Sequence, residues 1–316
     1  MGLIWLALGF ALLVLGGEGV VRGAASLARK LAIPPLIIGL TVVAFGTSSP
    51  ELGVSVVAGL QGNDEIAIAN VVGSNIFNVL MAIGIPAAIA PISTSMTLLS
   101  RELPILFSVT AVATALAIVG HQLNRPEAAV LLVGLFAFIA YSYWAARSEP
   151  ERIQDEYDEG IGKESATATS FVYLAIGVAL LIGGSQLVVR GASQIAVGLG
   201  VSQTIIGLTI VAMGTSLPEL MTSTVAAVKG EGDLAIGNAL GSNIFNLLGI
   251  LGVAGLVHPL QVARELAWFD LPWMVMATLL LFPLVITNKK ISRAEGLVMV
   301  ALYAVYTVLL VFRALR

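Results

Sequence analysis

Cysteine is absent from this chain, which rules out a disulfide framework and any thiolate metal site. Charge is scarce as well: 11% of the 316 residues are Asp, Glu, Lys or Arg, where a soluble domain averages about 25%. There is no basic stripe and no zinc-ligand spacing, so nucleic-acid binding is set aside. The net charge of -3 is too small to define a partner. No positive segment precedes the apolar run Leu3 to Leu15, which leads into Arg22; a retained first span is expected there, not a cleaved signal.

What fills the chain instead is apolar sequence. Hydrophobic residues make up 58% and the mean hydropathy is +0.97, the composition of an integral membrane protein. Apolar runs of about 20 residues, enough to cross about 30 Å of hydrocarbon, fall at approximately 2–21, 34–60, 67–90, 102–120, 127–145, 170–189, 202–228, 234–256, 267–286 and 295–313.

The stretch Gly46 to Asn78, GTSSPELGVSVVAGLQGNDEIAIANVVGSNIFN, places Glu51 deep in an apolar run. An ionised group at the centre of a spanning helix costs roughly 2.5–3.5 kcal/mol, so such a residue is a functional one in need of a partner. The stretch then recurs 168 residues on, as GTSLPELMTSTVAAVKGEGDLAIGNALGSNIFN with Glu219 at the matching place. Gly39 to Gly84 and Gly207 to Gly252 share 26 of 46 positions, and the register extends upstream through Val20–Ala24 and Val188–Ala192. One half of the chain is a copy of the other.

Ten runs give five per copy. A five-span unit starts and ends on opposite sides, so the second copy enters the membrane upside down. The expected fold is therefore all-α integral membrane, ten transmembrane helices as two inverted five-helix repeats with broken helices 2 and 7: residues 1–146, a cytoplasmic linker 147–169, and 170–316. In such architectures the site forms near the midplane where the copies meet. Arg22, Arg29, Lys30, Arg101, Arg147, Arg152, Lys163, Lys229, Lys289, Lys290 and Arg293 collect on one face, against Arg125, Arg190, Arg264, Arg313 and Arg316 on the other. The richer face is expected in the cytoplasm and both termini outside it. The acidic connector Arg147 to Ser165 has no regular ligand spacing and reads as a solvated hinge, not a calcium sensor.

In GTSSPE, Pro50 lacks an N–H and its ring clashes with the Gly46 carbonyl, so the helix must bend or break beside Thr47, Ser48 and Glu51. Gly214, Thr215, Ser216, Pro218 and Glu219 repeat this. In GSNIFN, Ser74 and Asn78 lie four apart on one helical face, as do Ser242 and Asn246. The combined inventory is two carboxylates, two amides, six hydroxyls and bare carbonyls, a donor set of oxygens that suits hard cations. Two carboxylates about 5 Å apart at an effective dielectric near 20 repel by roughly 3 kcal/mol, so the pair must hold a proton or a cation. One Ca²⁺ neutralises it, and so do two Na⁺. A lone Pro kink or a lone Ser–Asn pair is usually packing; it is the duplication beside a buried acid that favours a site.

Other polar residues have simpler roles. Glu18 is expected to pair with Arg22 at i+4, Glu102 and Glu265 to cap helix starts, and Asn70 and Asn238 to serve in packing or an outer shell. His121 and His258 are expected at the interface. Trp5, Tyr141, Tyr143, Trp144, Trp268 and Trp273 read as headgroup anchors.

At these paired motifs the chain resembles the sodium/calcium exchanger family of the cation/calcium antiporter superfamily, in its short prokaryotic form. The resemblance implies that Glu51 and Glu219 bridge Ca²⁺, that Thr47, Thr215, Ser48, Ser216 and the Ala44 and Ala212 carbonyls add oxygens for Ca²⁺ or Na⁺, and that Ser74, Asn78, Ser242 and Asn246 complete the shell. It implies that the first and sixth spans, Leu3–Val21 and Ser170–Val189, slide against the rest, with Gly16, Gly17, Gly183 and Gly184 in the contact. Asn246 stands where potassium-coupled relatives carry Asp, so K⁺ coupling is not expected. The expectation is a secondary antiporter and not an enzyme, with Ca²⁺ and Na⁺ as transported ligands and the lipid bilayer as surroundings. No cofactor and no obligate protein partner is expected. A proton-coupled calcium antiporter of the same superfamily is the alternative, and a cation channel a more distant one.

Overall fold

The computed structural model describes residues 1–31, 33–93, 95–147, 167–200, 206, 209–210, 212–288 and 290–314. The linker expected at 147–169 lies almost wholly outside them. In chain order the helices are α1 (Gly2–Leu31), α2 (Pro35–Thr47), α3 (Ser49–Leu60), α4 (Asp64–Ile89), α5 (Met96–Val119), α6 (Arg125–Arg147), α7 (Thr167–Gly198), α8 (Leu217–Val228), α9 (Gly232–Val257), α10 (Leu271–Asn288) and α11 (Arg293–Ala314). The protein is all-helical and crosses the membrane several times. Among the described residues seven helices are long and apolar enough to span, or eight when α2 and α3 count as one span bent by 47°. Of the ten expected spans, 202–228 is only partly described, and 267–286 contains a shorter apolar helix, Leu266–Phe282.

The bend between α2 and α3 falls at Ser48, with Pro50 in the first turn of α3, where its missing N–H leaves no helical bond unmade. Pro218 occupies the same place in α8. Both helices then stop at a glycine with positive φ, Gly62 at 72° and Gly230 at 79°, a backbone that glycine adopts without steric cost.

α4 and α9 form the centre. Their apolar stretches are 72% and 78% buried, while α1, α5, α6, α7 and α11 are buried over a third or less; those helices turn residues such as Leu3, Phe10, Phe136 and Phe312 outward, as a lipid-facing surface requires. Two short antiparallel ladders tie the loops together. The first, β1 (Ile92–Ser93) with β4 (Lys290–Ile291), pairs Ile92 with Ile291. The second, β2 (Gln122–Leu123) with β3 (Leu260–Gln261), pairs Leu123 with Leu260.

α1 and α7 pack antiparallel with backbones in contact, and the sequence cause is a seven-residue glycine repeat on each: Gly2, Gly9, Gly16 and Gly23 facing Gly191, Gly184, Gly177 and Ser170. A Cβ built on Gly9 or Gly16 would stand 2.8 Å from the carbonyl oxygen of Gly184 or Gly177. Small residues at such spacing let helices approach this closely in lipid. Gly183, expected in this contact, has nothing within 4 Å of its Cβ position, and Gly17 faces Val225 of α8 instead. At one end of the pair the Arg190 guanidinium lies 4.8 Å over the Trp5 ring. Glu18 pairs with Arg22 as expected, and also with Lys229 at 2.5 Å, which joins α1 to the end of α8.

Two further expectations need correction. α5 begins at Met96, so Glu102 sits in its second turn and not at a cap; it is fully buried, and neither carboxylate oxygen has a hydrogen-bond partner among the described residues. Trp273 packs in an aromatic cluster, its ring 5.5 Å from that of Tyr306, because it faces the gap between α10 and α11.

Candidate ion-binding site

The α2–α3 bend and the start of α8 meet at the middle of the bundle. Thr47, Ser48 and Glu51 come from the α2–α3 break, Ser216 and Glu219 from the start of α8, Ser74 and Asn78 from α4, and Ser242 and Asn246 from α9. All are buried, and all but Ser74 are wholly inaccessible. The contacts cross between the copies. Ser48 donates to Glu219 Oε1 at 2.8 Å, and Ser216 donates to Glu51 Oε1 at 3.0 Å. The Ser74 hydroxyl is 3.0 Å from that of Ser216, and Ser242 reaches Glu219 Oε1 at 3.4 Å. Each copy's serine therefore holds the other copy's carboxylate, and the two acids share one site.

An outer layer fixes the backbone around them. Asn70 donates to the Glu51 carbonyl at 3.2 Å and to Ser55 at 2.9 Å; Asn238 repeats both bonds on the Glu219 carbonyl at 3.1 Å and on Ser223 at 3.0 Å. Ser55 and Ser223 in turn donate to the carbonyls of Ala67 and Ala235, each at 3.1 Å. These asparagines act behind the carboxylates, tying α3 to α4 and α8 to α9. Four residues escaped the sequence reading. Ser55 and Ser223 are one pair, and Asn75 and Asn243 are the other; the Asn243 amide donates to the Asn75 carbonyl at 3.2 Å, and that of Asn246 to Asn75 Oδ1 at 3.5 Å. Identity between the copies was the signal that marked all four.

The donors facing inward are not all used. Glu51 Oε2, Glu219 Oε2, Asn78 Oδ1 and Asn246 Oδ1 are buried without a hydrogen-bond partner among the described residues. Buried oxygens in that state cost free energy that a bound cation removes. They form two symmetry-related pairs, and the described residues hold no cluster of three or more His, Asp or Glu. A cation here would meet two carboxylates and otherwise neutral oxygens.

The copies differ in access. Ala44 and Thr47 are fully buried. The Ala44 carbonyl accepts from the Ser48 N–H at 3.0 Å, and the Thr47 hydroxyl lies 3.1 Å from the Val43 carbonyl and 3.3 Å from Asn238 Oδ1. Ala212 is exposed and Thr215 half-buried, its hydroxyl donating to the Ala212 carbonyl at 3.4 Å. A cleft of about 610 Å³, lined by Pro50, Val54, Gln186, Val189, Arg190 and Thr215, ends at this open side. The same residues are thus sealed in one copy and accessible in the other.

The sequence profile of the sodium/calcium exchanger proteins matches residues 1–144 and 169–312. The chain belongs to the sodium/calcium exchanger family. Sequences similar to it over nearly their whole length include the putative antiporter CaxA of Alkalimonas amylolytica, 40% identical over 97% of this chain and 98% of the relative, and the sodium/calcium exchanger MaX1 of Methanosarcina acetivorans, 32% identical over 97% of each. Among solved exchanger structures, NCX_Mj soaked with Na⁺ and Sr²⁺ superposes with a TM-score of 0.82 at 32% identity over 96% of both chains. Both halves that carry the paired motifs fall inside the matched family regions.

Proposed function

We propose that this cation/calcium antiporter exchanges Ca²⁺ for Na⁺ by alternating access at the Glu51–Glu219 site. The observation that carries the reading is the crossed pair of bonds, Ser48 to Glu219 and Ser216 to Glu51, which brings two buried acids and several unpartnered oxygens close together. One Ca²⁺ or two Na⁺ balance the two charges, so the ions replace one another at a single location. The proposed set of ligands is Glu51, Glu219, Thr47, Thr215, Ser48, Ser216, Ser74, Asn78, Ser242 and Asn246, with the Ala44 and Ala212 carbonyls. Asn246 keeps the formal charge at two, so a third Na⁺ would rest on neutral oxygens alone.

Two inverted five-helix repeats, 1–146 and 170–316, joined by a cytoplasmic linker, make up the proposed architecture, with both termini outside. The ladders support the inversion. β1 and β2 lie at opposite ends of α5, which is 24 residues and about 36 Å long. The segment 168 residues after β1 is β3, and it pairs with β2; a strand and its copy therefore sit at opposite ends of the same helix. The sealed Thr47 and open Thr215 support a state with access from one side, and α1 with α7 is the pair that would move.

Calcium uptake into everted vesicles, driven by an imposed sodium gradient with the pH gradient collapsed, tests the coupling ion. Uptake is expected to follow the sodium gradient and to vanish when Na⁺ is equal on both sides. Uptake that needs only a pH gradient would favour the proton-coupled alternative. The hydroxyls of Thr47, Ser48, Thr215 and Ser216, neutral donors suited to Na⁺, favour sodium.

A further inference from the structure

The gap between α1 and α8 and the gap between α7 and α3 are copies of one another, and the 168-residue register matches their walls residue by residue. The first is shut. A Cβ on Gly17 would stand 3.0 Å from Val225 Cγ2 and 3.3 Å from the Met221 carbonyl oxygen, so α1 and α8 touch there. The copies of Gly17 and Met221 are Ser185 and Gly53, and these line the cleft of about 610 Å³, with nothing within 4 Å of the Gly53 Cβ position. Beside Gly53, Val54 is 39% exposed; its copy Thr222 is 0% exposed.

The two gaps lie toward opposite ends of the bundle. α8 ends beside α9, whose Asp233 accepts from the Ser95 N–H at 2.9 Å just before α5 begins. α3 ends beside α4, whose Asp64 accepts at 3.1 Å from the Gln261 N–H of β3, and β3 pairs with β2 beyond the other end of α5.

Charge separates the gaps as well. Across the shut one, Lys229 Nζ lies 2.5 Å from Glu18 Oε1, which Arg22 also reaches, and the Arg29 charge on α1 acts on Glu231 in the turn after α8. The copies of Glu18, Lys229, Arg29 and Glu231 are Gln186, Gln61, Val197 and Asn63, all neutral. Among the described residues lining the open gap Arg190 alone is charged, and it lies over Trp5.

We propose that the Glu18–Lys229 pair is a one-sided latch, which holds the α1–α8 gap shut and biases the resting protein toward the state open beside Thr215. The proposal rests on the alternating-access reading, in which α1 and α7 move together, closing Ser185 on Gly53 and drawing Gly17 from Met221. That movement parts Lys229 from Glu18 and returns only a meeting of two glutamines at the other gap. Arg22, on the same helix as Glu18, keeps its bond in both states, so Lys229 is the partner that is lost. With both side chains about one-third exposed, such a pair shifts a two-state equilibrium by about twofold to fivefold. That sets a resting side without locking it.

Because the chain has no cysteine, one introduced thiol reports on each gap. Val54→Cys samples the open gap and Thr222→Cys the shut one, in the full chain in nanodiscs that expose both faces to a charged thiol reagent, in choline chloride free of Na⁺ and Ca²⁺. Thr222→Cys is expected to react more slowly than Val54→Cys, and added Lys229→Gln to speed it about twofold to fivefold. Glu18→Gln should do the same, and the two together no more than either alone, since both remove one contact. Raising choline chloride from about 20 to about 500 mM should also speed Thr222→Cys, through screening of the pair, and should leave the Lys229→Gln protein unmoved; this arm keeps the pair intact and decides should a variant not fold. A Thr222→Cys rate that ignores both Lys229→Gln and salt, or single effects that add in the double variant, overturns the latch while ⁴⁵Ca²⁺ counterflow by the unsubstituted protein continues. Absence of that counterflow overturns the exchange reading, and the latch with it.

Discussion

Glu51→Gln and Glu219→Gln each lower calcium exchange by a factor on the order of 100 or more, in protein that still inserts and purifies normally. The substitution is nearly isosteric, and a Gln Oε1 can still accept from Ser216 or Ser48, so the crossed bonds at 3.0 and 2.8 Å survive. What disappears is one of two charges facing the ion. Removing one partner of a buried ion pair costs about 3–5 kcal/mol, and each 1.4 kcal/mol is about tenfold in affinity. The check is ⁴⁵Ca²⁺ counterflow in proteoliposomes, which also separates an exchanger from a channel, because a channel cannot accumulate labelled calcium at the expense of unlabelled calcium. Normal counterflow in either variant would refute the site assignment.

The second large effect is on motion. Gly177→Val should reduce turnover at least tenfold while calcium affinity, measured at equilibrium, stays within about twofold. A Cβ on Gly177 would stand 2.7 Å from the Val20 amide nitrogen and 2.8 Å from the Gly16 carbonyl oxygen. Those are backbone atoms that cannot swing aside, so α1 and α7 must separate; inserting methyl groups into close packing costs about 1–3 kcal/mol. The site lies on other helices and keeps its ligands. Gly183→Val is the control: nothing lies within 4 Å of its Cβ position, and transport should be unchanged. Equal loss in both variants, or loss of affinity with turnover intact in Gly177→Val, would separate the glycine seam from the transport cycle.

Much of this was legible in the sequence because the signals were local. A carboxylate next to proline inside an apolar run, found twice, pointed to a broken helix and a shared site, and the 47° bend and the buried acids follow. Other features depended on a partner that one helix does not reveal. Adjacent glycines such as Gly183 and Gly184 stand out when the chain is read, yet it is the seven-residue period that sets the closest approach to the antiparallel neighbour, so Gly177 and Gly9 matter and Gly183 does not. Glu102 looked like a cap because it opens the apolar run 102–120; six further residues, 96–101, joined the helix on its N-terminal side and carried the acid into the interior. The difference in access was beyond any reading of the motifs. Thr47 and Thr215 occur in near-identical sequence, and what separates them is the packing of the helices around each.

The most direct measurement is anomalous diffraction from crystals soaked in Sr²⁺, with and without a high concentration of Na⁺. The account predicts a single peak in contact with both Glu51 and Glu219, fading as Na⁺ takes its place. Two peaks in separate pockets, or one peak touching neither acid, would contradict it.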